Sequence, residues 1–94
     1  MQVKVPQALD STTTANYNVA IGSNAIGANT TGHSNTAVGT FALDASTTAS
    51  YNTCLGYGAL SQSTTSDSNT AVGYNAGTAI TTGASNTCMG VNAG

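Results

Sequence analysis

The side chains here that could do chemistry are few: one imidazole, His33; three carboxylates, Asp10, Asp44 and Asp67; one amine, Lys4; and two thiols, Cys54 and Cys88. Nucleophilic catalysis needs a nucleophile, a base and an orienting group converging in a cleft. A single histidine among many serines supplies too little for that, so His33 is read as an exposed turn residue and no catalytic residue is assigned. Asp10 and Asp44 stand 34 residues apart, too far along the chain to share an ion locally, and the glycine-rich, aspartate-bearing calcium repeat is absent. The reading is of a non-enzyme with no metal or cofactor.

Charged residues are only 4% of the 94, with a net charge of −2, against roughly 25% in ordinary soluble domains. Ser, Thr and Asn supply the polarity instead. No basic patch is present to hold nucleic acid or an anionic membrane, and no stretch approaches the roughly 20 apolar residues of a membrane span. The opening Met1-Gln2-Val3-Lys4-Val5-Pro6 lacks the apolar centre of a secretory signal. Nucleic-acid partners and membrane insertion are therefore not expected.

The element that positions these residues is a repeat. Asn18, Asn35, Asn52, Asn69 and Asn86 fall at a constant interval of 17, and a fixed period of this kind is the mark of a stacked architecture. The units open Asn-Val-Ala-Ile-Gly, Asn-Thr-Ala-Val-Gly, Asn-Thr-Cys-Leu-Gly, Asn-Thr-Ala-Val-Gly and Asn-Thr-Cys-Met-Gly. Stacked, they give an apolar column, Ile21, Val38, Leu55, Val72 and Met89, that is expected to be the core. A glycine column follows, Gly22, Gly39, Gly56, Gly73 and Gly90, where a bend or close approach excludes a Cβ. Ala25, Ala42, Ala59, Ala76 and Ala93, with Ile26, Leu43 and Leu60 beside them, read as a second short strand. Thr30-Thr31, Thr47-Thr48, Thr64-Thr65 and Thr81-Thr82 read as a turn carrying a hydroxyl ladder.

Identical residues at a fixed period are best satisfied when coil lies on coil about 4.8 Å away, with strands in parallel. Glycine in every unit, abundant threonine and the lack of a 3.6-residue apolar stripe exclude a helical repeat. The expected fold is all-β, a parallel β-solenoid (β-roll or β-helix) of about five coils over residues 18–94. Residues 1–17 form a degenerate N-terminal coil or cap, in which Ala8, Leu9, Asp10, Thr13 and Thr14 keep the register while Lys4 and Val5 break it. Alternation sends the Thr and Val columns to one face and the Asn, Ala or Cys, and Gly columns to the other. The small-residue face is expected to receive a neighbouring chain, because the apolar columns are thin for a chain that must order itself alone. An oligomer is the expectation, with the strand edge left at Gly94 covered by another chain.

Cys54 and Cys88 share one column two coils apart, about 9–10 Å and beyond the roughly 7 Å reach of a disulfide. They read as small buried fillers beside Ala20, Ala37 and Ala71. The threonine pairs admit three readings: turn structure, a glycan-bearing or glycan-binding surface with Asn29-Thr30-Thr31 as an N-glycosylation sequon, or an ice-binding ladder. Tyr17, Tyr51, Tyr57 and Tyr74 are either receptor contacts or packing between coils or chains.

The runs Ser34-Asn35-Thr36-Ala37-Val38-Gly39-Thr40-Phe41-Ala42-Leu43 and Asn69-Thr70-Ala71-Val72-Gly73-Tyr74-Asn75-Ala76-Gly77 resemble the head repeats of trimeric autotransporter adhesins. They are still more similar to related repeats in phage tail-fibre and endosialidase-chaperone-tailed proteins. The resemblance covers residues 18–94 and implies a left-handed parallel β-roll, usually trimeric, serving as a shaft or a host-binding head. It implies a place outside the cell or on the virion surface. Self is then the main partner, as homotrimer or head-to-tail filament, with a cell-surface glycan or receptor as a second. Three functions are weighed: a structural fibre or filament protein, a trimeric adhesin or receptor-binding head, and, from the threonine ladder, an ice-binding solenoid.

Overall fold

The computed structural model describes residues 17–94; all of the expected cap but Tyr17, with the carboxylate of Asp10, lies outside the described residues. One three-residue strand occurs per coil: β1 (Val19–Ile21), β2 (Thr36–Val38), β3 (Thr53–Leu55), β4 (Thr70–Val72) and β5 (Thr87–Met89). They form a single parallel sheet in the order β1-β2-β3-β4-β5, with like residues opposed: Ala20 pairs Ala37, Ala37 pairs Cys54, Cys54 pairs Ala71 and Ala71 pairs Cys88. No helix occurs among the described residues. The chain is an all-β parallel solenoid, and the constant interval between asparagines is its coil.

Thr and aliphatic side chains favour the extended strand, and asparagine and glycine bound it. At the glycine the backbone swings to φ of 127°, 132°, 134° and 133° at Gly22, Gly39, Gly56 and Gly73, a region closed to L side chains. Pairing persists through the corner: Gly39 donates its N–H to the Ile21 carbonyl at 2.7 Å and Gly56 to that of Val38 at 2.8 Å. A Cβ on Gly39 would lie 2.6 Å from the Gly56 carbonyl oxygen, so each corner nests against the next.

The second strand expected around the alanine column is not there. Residues 23–28 form overlapping turns, with Ala25 donating to the Gly22 carbonyl and Gly27 to that of Asn24. Between those bonds, Ile26 donates across to Ala42 of the next coil at 3.0 Å. The physical reason is a backbone that alternates into the left-handed region, with φ 61° at Asn24 and 53° at Ile26, then 60° at Phe41 and 55° at Leu43. Alternation of this kind curls the chain while still aiming every second N–H at the neighbouring coil.

The core also differs from expectation. Ile21, Leu55 and Met89 are 39%, 48% and 69% exposed, and Val38 and Val72 are half-buried. The buried strand residues are Ala20, Ala37, Cys54, Ala71 and Cys88, facing Ala25, Ala42, Ala59 and Ala76, with Ile26, Leu43 and Leu60 as the large members. The two faces of the strand are composed as expected, but the small-residue face is the coil's own interior rather than a seat for another chain. The buried asparagine shares that face with the third position, and its amide bonds a carbonyl three residues before the next asparagine of the ladder, where its own coil closes.

Serines complete the interior. Ser63 and Ser66 share a hydrogen bond between their hydroxyls, and in the first coil Asn29 takes the equivalent place, bonding both polar groups of Gly32. In the coil between, Ala49 stands where the next coil has Ser66, and the buried Ser46 hydroxyl has no partner.

Candidate functional site

Each of the first four ladder asparagines, Asn18, Asn35, Asn52 and Asn69, makes two kinds of bond. Its Nδ2 donates to a carbonyl 14 residues later, closing its own coil: Asn18 to Gly32 at 3.0 Å, Asn35 to Ala49 at 2.8 Å, Asn52 to Ser66 at 2.9 Å and Asn69 to Gly83 at 2.8 Å. Its Oδ1 accepts the backbone N–H of the next asparagine, at 2.9, 3.0, 2.9 and 2.8 Å along the series from Asn18 to Asn86. One buried amide therefore shuts a coil and seats its successor. Buried polar groups are tolerated when satisfied in this way.

The first threonine of each pair is also bound into the stack. The Oγ1 of Thr30, Thr47 and Thr64 donates to the carbonyl of the following coil's threonine at 3.3, 3.4 and 3.4 Å. The second of each pair, Thr31, Thr48, Thr65 and Thr82, is exposed. Thr81 has no described coil beyond it. The sequon at Asn29 is closed in the folded chain, because Asn29 is fully buried and both ends of its amide are engaged by Gly32.

Other polar groups do small structural tasks. Asp67 accepts the Ser50 N–H at 2.7 Å across a coil. Partial burial raises the Asp44 carboxyl above the ordinary carboxylate range. His33 is half-buried rather than exposed, with Nδ1 3.1 Å from the Ser34 hydroxyl and its ring edge-on to Tyr51 at 5.1 Å. Among the described residues no three His, Cys, Asp or Glu side chains gather where they could share an ion, and no cavity opens.

Both thiols are free and buried. Burial pushes the Cys54 thiol up to about 12, which leaves on the order of one part in ten thousand as thiolate at mildly alkaline pH. Cys88, in the last strand, has no coil stacked beyond it among the described residues. Alkylation of the folded chain is expected to label Cys88 at least about tenfold faster than Cys54. Peptide mass spectrometry over a time course reads the two rates, and equal rates would mean that the third coil opens as readily as the last.

The largest feature that the coil does not use for itself is the outer face of the sheet. Two columns run along it side by side: Val19, Thr36, Thr53, Thr70 and Thr87, then Ile21, Val38, Leu55, Val72 and Met89, all exposed or half-buried. With coils about 4.8 Å apart the aliphatic column is about 19 Å long. No charged residue stands in either column. Composition marked this column as apolar and needing burial; among the described residues it is left exposed or half-buried. The sequence matches no protein-family model, no curated protein and no solved structure.

Proposed function

We propose that the chain is a structural, non-catalytic segment of a fibre or filament, assembled from copies of itself outside a cell or on a virion surface. The observation that carries this reading is the uncharged aliphatic column Ile21, Val38, Leu55, Val72 and Met89 standing on the outer sheet face. Scattered apolar side chains are ordinary on a surface, whereas a contiguous line of them marks a contact. A second copy carries the same column at the same coil spacing, so two such faces match in register without any further design. Three copies about a common axis is the arrangement suggested by the resemblance to trimeric fibre repeats, and head-to-tail stacking of coils is the filament alternative. A receptor- or glycan-binding head is a second reading, supported by the exposure of Tyr17, Tyr51, Tyr57 and Tyr74.

The test is sedimentation velocity and electron microscopy of the chain and of a Val38→Lys, Leu55→Lys variant. The wild-type chain is expected to form discrete oligomers or filaments, and the variant to be monomeric with an unchanged circular dichroism spectrum, since both side chains point away from the coil interior. Filaments favour the fibre, and discrete trimers that bind a cell-surface glycan favour the head. A wild-type chain monomeric at every concentration would overturn self-assembly as the function.

A further inference from the structure

Tyr57 and Tyr74 hold the same position in successive coils, directly after the corner glycine, and are about half exposed. Their rings are stacked, with centroids 5.5 Å apart and planes 12° from parallel. The backbone beneath them is fixed by coil pairing: Gly58 donates to the Thr40 carbonyl at 2.9 Å and Asn75 to that of Tyr57 at 2.8 Å. The Phe41 ring edge closes on Tyr57 from the preceding coil at 5.7 Å. Two solvent-reaching phenols are thus held next to each other in a near-parallel stack, one on each of two successive coils.

We propose that Tyr57 and Tyr74 form an oxidative cross-linking site, joined as dityrosine by a peroxidase-type one-electron oxidant acting with hydrogen peroxide. Each phenol gives up one electron and one proton, and the two phenoxyl radicals couple between ring carbons ortho to oxygen. Rearomatisation restores both hydroxyls, and the peroxide takes the two electrons and two protons to leave two waters. The new carbon–carbon bond closes a loop of one coil and staples the third coil to the fourth. Within the chain this is the favoured pair. Tyr17 and Tyr51 are two coils apart, at about twice the spacing, and the His33 ring lies against Tyr51. The chain contains no tryptophan to divert the radical, and the Cys54 thiol is buried. The chemistry does not depend on self-assembly; only its use as a fibre staple rests on that reading.

The experiment treats the dilute chain with a haem peroxidase and limiting hydrogen peroxide, separates monomer from cross-linked oligomer, and maps the monomer by peptide mass spectrometry and dityrosine fluorescence. The expected result is a monomeric product lighter by two hydrogens, with the Tyr57 and Tyr74 peptides joined. Tyr57→Phe and Tyr74→Phe should each abolish it, whereas Tyr17→Phe and Tyr51→Phe should leave its yield unchanged. Circular dichroism checks that each variant keeps the fold. The proposal is overturned if the monomer carries a link between other tyrosines, if only intermolecular links form, or if chain unfolded in denaturant gives the same intramolecular yield.

Discussion

A Gly56→Ala chain is expected to lose most or all of its folded population. The new Cβ would sit 2.6 Å from the Gly73 carbonyl oxygen and 2.8 Å from its carbonyl carbon, atoms of a backbone already held in the sheet. It would also impose an L side chain on φ of 134°, which alone costs on the order of 1–3 kcal/mol. The clash cannot be relieved by rotating a side chain, so the coils must part. Together the effects are expected to exceed about 3 kcal/mol, a large share of the roughly 5–15 kcal/mol that holds a domain folded. Gly90→Ala is the control that separates the two causes. Gly90 shares the column and a φ of 116°, but its Cβ would meet nothing nearer than the Ala93 Cβ at 4.0 Å. Urea midpoints should therefore place Gly90→Ala between wild type and Gly56→Ala. Equal losses would assign the glycine column to backbone conformation alone and remove the nesting argument.

Asn52 is expected to be nearly as sensitive, for a different reason. Its Oδ1 receives the Asn69 N–H, its Nδ2 serves the Ser66 carbonyl, and it is almost wholly buried. Asn52→Ala strands a donor and an acceptor, each costing about 1–3 kcal/mol when left unpaired in the interior, so a loss of roughly 2–5 kcal/mol follows if water does not enter. Asn52→Asp makes the effect depend on pH. The carboxylate would keep the acceptor for Asn69 but offer no donor to Ser66, and it would face the Asn35 Oδ1, which Asn52 now approaches at 3.2 Å. Burial beside two oxygens raises its folded pKa above the unfolded value of about 3.9. The variant should then be most stable below that value and lose stability as pH rises through it toward the folded pKa. Urea titrations in acid and at neutral pH check the sign: a variant more stable at neutral pH would mean that the amide is not enclosed as described.

Both expectations rest on columns that were visible in the sequence. The constant interval between asparagines set the coil length and the pairing register, because only a whole-coil offset puts Ala37 opposite Cys54 and Thr36 opposite Thr53. The invariant glycine announced a corner. Which strand face turns inward was not legible, since alternation divides residues into two sets without ranking them, and Ile21 and Leu55 are the more apolar set. The structure supplies the ranking: Ala20, Ala37, Cys54 and Ala71 are buried with the asparagines, while Ile21 and Leu55 are exposed. The missing second strand was hidden by residue type: Ile26, Phe41 and Leu43 are ordinary strand formers placed at positive φ. A signal existed in the columns. Asn24, Gly58, Asn75 and Asn92 share the place of Phe41, and Gly77 and Gly94 share that of Leu43. Such mixing of Gly and Asn with bulky residues is what a left-handed position shows when burial competes with backbone preference.

The ladder of asparagines also fixes how such a rod can change size. Every described coil boundary uses the same amide bonds, so cutting out residues 35–51 would join Ser34 to Asn52 and leave Asn18 facing an identical successor, with each column intact. Removing one residue fewer would turn the side chains of every later strand to the wrong side. The molecule is a ruler graduated in steps of about 4.8 Å, whose length can be edited only in whole divisions.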